Sequence, residues 1–127
     1  MSTARATSRI REAWDLLAKD WAVLQGDTGD ANQKWMILPA LLSLAGEVQG
    51  LRVLDGACGA GHLARELARR GAVVTAIDLS PMMIEQARQR RSAVQPDVRY
   101  QVGDITERSE FADADFDLVV FNMALMN

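Results

Sequence analysis

LRVLDGACGAGHLARELARRGAVVTAID, residues Leu51 to Asp78, is the stretch that decides the fold. It opens with a short apolar run, Val53-Leu54, that ends on an acid, Asp55. A loop of small residues follows, in which Gly56, Gly59 and Gly61 are separated only by alanines and Cys58. From His62 the spacing turns helical, with Leu63, Ala64, Leu67 and Ala68 on one face and Arg65, Glu66, Arg69 and Arg70 largely on the other. Gly71 ends that helix, and Ala72 to Ile77 form a second apolar run that closes on Asp78. The order is strand, glycine loop, helix, strand, with a carboxylate at the end of each strand. Glycines let such a loop take positive φ and approach a ligand, and the helix start behind it offers free N–H groups. A carboxylate after the second strand can accept both ribose hydroxyls of an adenosine ligand. The stretch reads as a nucleoside-cofactor site.

Two cofactor classes compete for it. Gly59-Ala60-Gly61-His62-Leu63-Ala64 fits G-x-G-x-x-[G/A], and Asp78 follows at the spacing of about 20 residues that dinucleotide sites show. That supports an NAD-dependent oxidoreductase half-domain. Asp55 opposes it, because a carboxylate beside a pyrophosphate costs on the order of 4 kcal/mol at 4 Å and an effective dielectric near 20. The same acid suits S-adenosylmethionine, which has no phosphate and carries an ammonium and a sulfonium.

Val53-Leu54-Asp55-Gly56-Ala57-Cys58-Gly59-Ala60-Gly61 resembles the first motif of the class I S-adenosylmethionine-dependent methyltransferases, and Asp78 resembles their ribose-binding acid. Ala57 departs from the pattern, standing where the family's first glycine lies, with Gly56 beside it. The resemblance implies an α/β fold, a Rossmann-like doubly wound sheet, with S-adenosyl-L-methionine as cofactor. The cofactor-binding residues it implies are Asp55, Gly56, Ala57, Cys58, Gly59, Gly61, Asp78, Leu79, Met83, Asp104, Ile105 and Asn122.

Composition bounds the rest. The chain has 127 residues, 49% of them apolar, enough for one domain with a real core. A formal charge of -3 gives no basic footprint for nucleic acid or an anionic membrane. One cysteine, Cys58, allows no intramolecular disulfide and fits a reducing cytoplasm. No run approaches the roughly 18 apolar residues of a membrane span, and the N-terminus lacks the apolar core of a signal peptide.

Residues 1–50 read as an N-terminal helical cap and 51–127 as a cofactor-binding half-domain. Ser8 to Leu24 is an amphipathic helix with Ile10, Trp14, Leu17 and Trp21 as its apolar stripe. Core packing is one reading of that stripe; the other is a lid, which the methyltransferase resemblance implies. Gly26-Asp27-Thr28-Gly29-Asp30 breaks the helix. A second helix from Ala31 buries Trp35, Leu38, Leu41, Leu42 and Ala45, and Pro39 within it predicts a kink or a fresh start.

Beyond Asp78, Ser80 caps a helix with Pro81 in its first turn. Met83, Ile84 and Ala87 face inward, while Arg88, Arg90 and Arg91 face solvent. Val98 to Val102 is a third strand ending on Gly103-Asp104-Ile105. The resemblance gives Asp104 the adenine amino group; as a turn residue it would instead cap the next element. Phe116 to Phe121 is a fourth strand whose continuous apolar run predicts burial on both faces.

Right-handed crossovers place the strands in the order 3-2-1-4, with Asp55 and Asn122 on the two lips of the switch-point crevice. Asn122 at such a lip can also hold the acceptor. His62 starts the helix near the cleft or solvent, and nothing in sequence partners it as a base. Cys58 has no second cysteine for a metal and reads as a small filler. After Asn122-Met123-Ala124-Leu125-Met126-Asn127 the chain stops, where the family continues with more strands. The expectation is a truncated methyltransferase acting on a small molecule, or one completed by association of the apolar fourth-strand edge with a second copy. A non-catalytic cofactor-binding or oligomerising module is the remaining alternative.

Overall fold

Val53 and Leu54 are buried because their strand, β1 (Arg52–Gly56), runs between two others. β2 (Val73–Asp78) pairs with it in parallel, Val53 opposite Val74 and Asp55 opposite Ala76. On the other side lies β4 (Leu118–Phe121), also parallel, with Val53 opposite Leu118 and Gly56 opposite Phe121. β3 (Arg99–Val102) completes the sheet on the far edge of β2. The order is β3-β2-β1-β4, as the crossover rule predicts. This structure, a computed structural model, describes residues 3–90, 98–107 and 115–122.

Helix α3 (His62–Arg69) follows β1, and its predicted apolar face, Leu63, Ala64, Leu67 and Ala68, is fully buried. Helix α4 (Pro81–Gln89) follows β2 and buries Met83, Ile84 and Ala87. Its cap is as expected: the Ser80 hydroxyl accepts from the Met83 N–H at 3.1 Å, and Pro81 fills the first turn. At the entry end of the sheet, Asp117 accepts from the Arg52 backbone N–H at 2.8 Å and pairs with its guanidinium, tying β4 to β1.

Four expectations need correction. Helix α1 (Thr3–Gln25) begins earlier than Ser8, and its packed face is Ala18, Ala22 and Gln25, not the aromatic stripe. Ile10, Leu17 and Trp21 stay 41%, 52% and 38% exposed, because the small alanines are what allow α1 to lie close against α4. Arg90 is not on a solvated face; it donates to the Ala22 carbonyl at 2.7 Å and sits half-buried between α1 and α4. Trp35 is 72% exposed. In β4 only Val120 is buried, while Val119 and Phe121 are 47% and 42% exposed, so the apolar run is covered on one face alone among the described residues. The readings of Arg91 and of Met123 to Asn127 lie outside the described residues.

The exposure of Trp35 has a local cause. Residues Gln33–Ile37 form a π-helical turn that leads into α2 (Leu38–Ala45), its last bond running from the Leu38 N–H to the Gln33 carbonyl. Pro39 has no N–H to give to the preceding turn, and the wider turn just before it absorbs the defect without breaking the helix. It also changes the angular step. Trp35 leaves the stripe of Leu38, Leu41 and Leu42, and Gln33 turns inward to be buried.

Candidate functional site

The carboxyl ends of β1, β2 and β4 open into a cavity of about 500 Å³, with α1 forming its far wall. Ala57, Cys58 and Gly59 line it from the glycine loop; Asp78 and Leu79 from the end of β2 and Met83 from the first turn of α4; Asp104 and Ile105 from the turn after β3; Asn122 from the end of β4. Nine of the twelve residues implied by the family resemblance therefore meet in one cleft. Asp55, Gly56 and Gly61 are buried behind its wall, so Asp55 is not itself a lip of the crevice.

The loop is held from β2. One Asp78 carboxylate oxygen accepts from the Gly59 N–H at 2.9 Å and the other from the Ser80 N–H at 2.9 Å, while the Cys58 N–H donates to the Ile77 carbonyl at 2.8 Å. Burial raises the Asp78 pKa against the lowering effect of those two N–H donors. Gly59 has φ +56 and open space where a Cβ would stand, so the cleft reaches its backbone. Gly56 is required for a different reason: a Cβ there would lie 2.5 Å from the Phe121 ring. Ala57 takes φ 57, a left-handed conformation that glycine holds at no steric cost.

Asp55 is 1% exposed, and its Oδ2 has no hydrogen-bond partner among the described residues. Burial first, then the nearby Asp78 carboxylate, push its pKa up to about 8. Burial likewise raises the Cys58 thiol well above its ordinary value, which keeps it neutral and fits a filler. Asp104 accepts from both the backbone N–H and the hydroxyl of Thr106 through one oxygen, so it serves as a turn residue at the cleft edge.

Gln33 lines the cleft unforeseen by the sequence reading, and Arg65 behind the glycine loop was expected elsewhere. Gln33, carried inward by the π-turn, accepts from Asn122 Nδ2 at 2.8 Å and lies 3.4 Å from His62 Nε2. His62 Nδ1 is buried with no partner among the described residues, and burial followed by the Arg65 charge lowers the ring's pKa to about 4. Arg65, expected on the polar face of α3, is instead 2% exposed. It donates to the Ala60 carbonyl at 2.6 Å and the Asp27 carbonyl at 3.0 Å, and bonds the Tyr100 side chain, tying the glycine loop to the loop after α1 and to β3. Trp14 and Trp21 stack edge to face, ring centroids 5.7 Å apart, and line the cleft with Thr3, Thr7 and Ile10.

A parallel β3-β2-β1-β4 sheet with a ligand-sized cleft over a glycine loop is a fold many families share. The sequence profile described as "Methyltransferase domain" matches residues 53–127. The chain belongs to the methyltransferase domain family. Among curated proteins, the chain is 35% identical over 117 residues to a malonyl-[acyl-carrier protein] O-methyltransferase of Serratia marcescens, covering 92% of this chain and 39% of that one. It is 47% identical over 73 residues to a ubiquinone biosynthesis O-methyltransferase of Methylocella silvestris, covering 58% of this chain and 28% of that one. The chain thus spans about two fifths or less of the length of these relatives. Among solved structures, magnesium protoporphyrin IX methyltransferase of Synechocystis PCC 6803 with bound SAH superposes with a TM-score of 0.70 at 25% identity, covering 91% of this chain and 57% of that one. Among the described residues, no helix of the chain is long and apolar enough to cross a membrane.

Proposed function

We propose that the protein binds S-adenosylmethionine in this cleft and transfers its methyl group to a small-molecule acceptor. The observation that carries the reading is Asp78: its carboxylate ends β2, grips the glycine loop and lines the cleft where a ribose diol would lie. The bound cofactor supplies an electrophilic methyl group on a sulfonium. What remains for the chain is orientation and exclusion of water. Asp78 takes the ribose, Gly59 and Ala57 let the backbone approach, and Leu79, Met83 and Ile105 flank the adenine. The second oxygen of Asp104 takes the adenine amino group. Asp55, a neutral acid under the loop of the cofactor-free chain, would be drawn to ionise by the cationic end of the cofactor, a response that pyrophosphate would oppose.

On the acceptor side stands Asn122, held at a fixed angle by Gln33. Residues 1–50 serve as the cap, with Trp14 and Trp21 over the ligand, and 51–127 as the cofactor half. The buried lone thiol suits the cytoplasm, and the exposed edge of β4 is the surface on which another copy or further chain would pair.

Calorimetry with S-adenosylhomocysteine tests this. Asp78→Ala loses charge-assisted hydrogen bonds of about 1.5–3 kcal/mol, so affinity should fall roughly ten- to a hundredfold. Unchanged affinity, or tighter binding of NAD than of S-adenosylhomocysteine, overturns the assignment.

A further inference from the structure

A second cavity of about 540 Å³ lies outside the cofactor cleft, in the groove between α2 and α3. Its volume falls in the range of about 300–1,000 Å³ that small-molecule sites occupy. Leu38, Pro39 and Leu42 give it an apolar floor, and Leu38 belongs to the buried core. Its charged lining is one-sided. Lys34, Arg69 and Arg70 stand against a single carboxylate, Glu66. That carboxylate is shared, 3.1 Å from Arg69 and 2.9 Å from Arg70. The Lys34 ammonium lies 5.1 Å from the centre of the exposed Trp35 ring and adds a further positive charge. This excess stands out on a chain whose net charge is -3.

We propose that this groove is a second binding site, for an amphipathic anion: a carboxylate or phosphate head among Lys34, Arg69 and Arg70, on an apolar body lying over Leu38, Pro39 and Leu42. Arginine forks suit either head group, and the apolar floor rewards a hydrocarbon or ring that free phosphate lacks. The site goes beyond the cofactor reading and shares one residue with it. His62 lines both cavities, so a ligand in the groove presses on the side chain that faces Asn122 and Gln33 in the cleft.

The test is calorimetric titration of the protein with octanoate, octyl phosphate and octylammonium. Octanoate or octyl phosphate should bind saturably, with octylammonium failing to do so, and the tighter of the two anions identifies the head group. Lys34→Glu reverses a charge at an exposed position outside the cofactor cleft, and should weaken the anion at least about tenfold while leaving the melting temperature in place. Ser43→Trp, which fills the groove from its exposed rim, should do the same. Equal binding of octylammonium, anion binding untouched by both substitutions, or no saturable binding of either anion overturns the proposal. S-adenosylhomocysteine, titrated separately, reports on the cofactor cleft alone, so a failure there leaves the result for the groove standing.

Discussion

Asp55→Asn should make the cofactor-free protein more stable at neutral pH, although it removes a residue of the glycine-loop motif. Asp55 is 1% exposed with Oδ2 unpartnered, and its pKa is raised from 3.8 to about 8. Between those two values the folded chain keeps a proton that the unfolded chain releases. The unfolded state then binds fewer protons, and stability falls as pH rises from about 4 to about 8. At pH 7 the carboxyl is about three pH units above its unfolded pKa, each worth about 1.4 kcal/mol, which makes the penalty on the order of 4 kcal/mol. Asparagine has nearly the same shape and does not titrate, so the variant escapes that penalty. Urea unfolding at pH 5 and pH 8, without ligand, gives the answer as a difference between the two proteins, in which titrating groups remote from Asp55 cancel. The gap should widen in favour of the variant by several kcal/mol across that interval. A gap independent of pH would show that Asp55 is ionised in the fold and refute its burial as a neutral acid.

Two smaller effects follow from the same loop. Ala57→Gly releases a left-handed alanine, and after the extra entropy of unfolded glycine it should gain about 0.5–1 kcal/mol, read as a higher melting temperature with cofactor affinity preserved. His62, with its pKa lowered to about 4, should cost stability as pH falls from about 6.5 toward 4, and its ring resonances should stay at their neutral positions at pH 5. Full titration near pH 6.5 would place the ring in solvent and refute its burial.

Much of this was legible because it is local. The step from β1 through the loop to α3 and β2 is encoded in neighbouring residues, and the handedness of crossovers then orders strands that never meet in sequence. The residues that escaped are those whose partners are distant or whose helix changes step. Nothing near Arg65 announces that its guanidinium turns back onto the Ala60 carbonyl and reaches across to Asp27, 38 positions earlier. Gln33 and Trp35 exchanged places because a π-turn interrupts the 3.6-residue period on which the reading relied. The stripe on α1 stayed ambiguous between core and lid for a different reason. Periodicity marks an apolar face without saying what it faces, and here Trp14 and Trp21 face the cleft while alanines do the packing.

The attachment of α1 to α4 constrains how a ligand can enter. Asp15 accepts from the Ser80 hydroxyl and the Met82 N–H at the start of α4, and Arg90 holds the Ala22 carbonyl at its end. Arg11 adds a bond to the Leu79 carbonyl. A helix pinned at both ends of its neighbour cannot swing away as a rigid door. Ahead of Arg11, Thr3, Thr7 and Ile10 line the cleft. Helix ends open at far lower cost than packed interiors. A ligand that enters past these residues leaves the alanine seam and the sheet beneath it undisturbed.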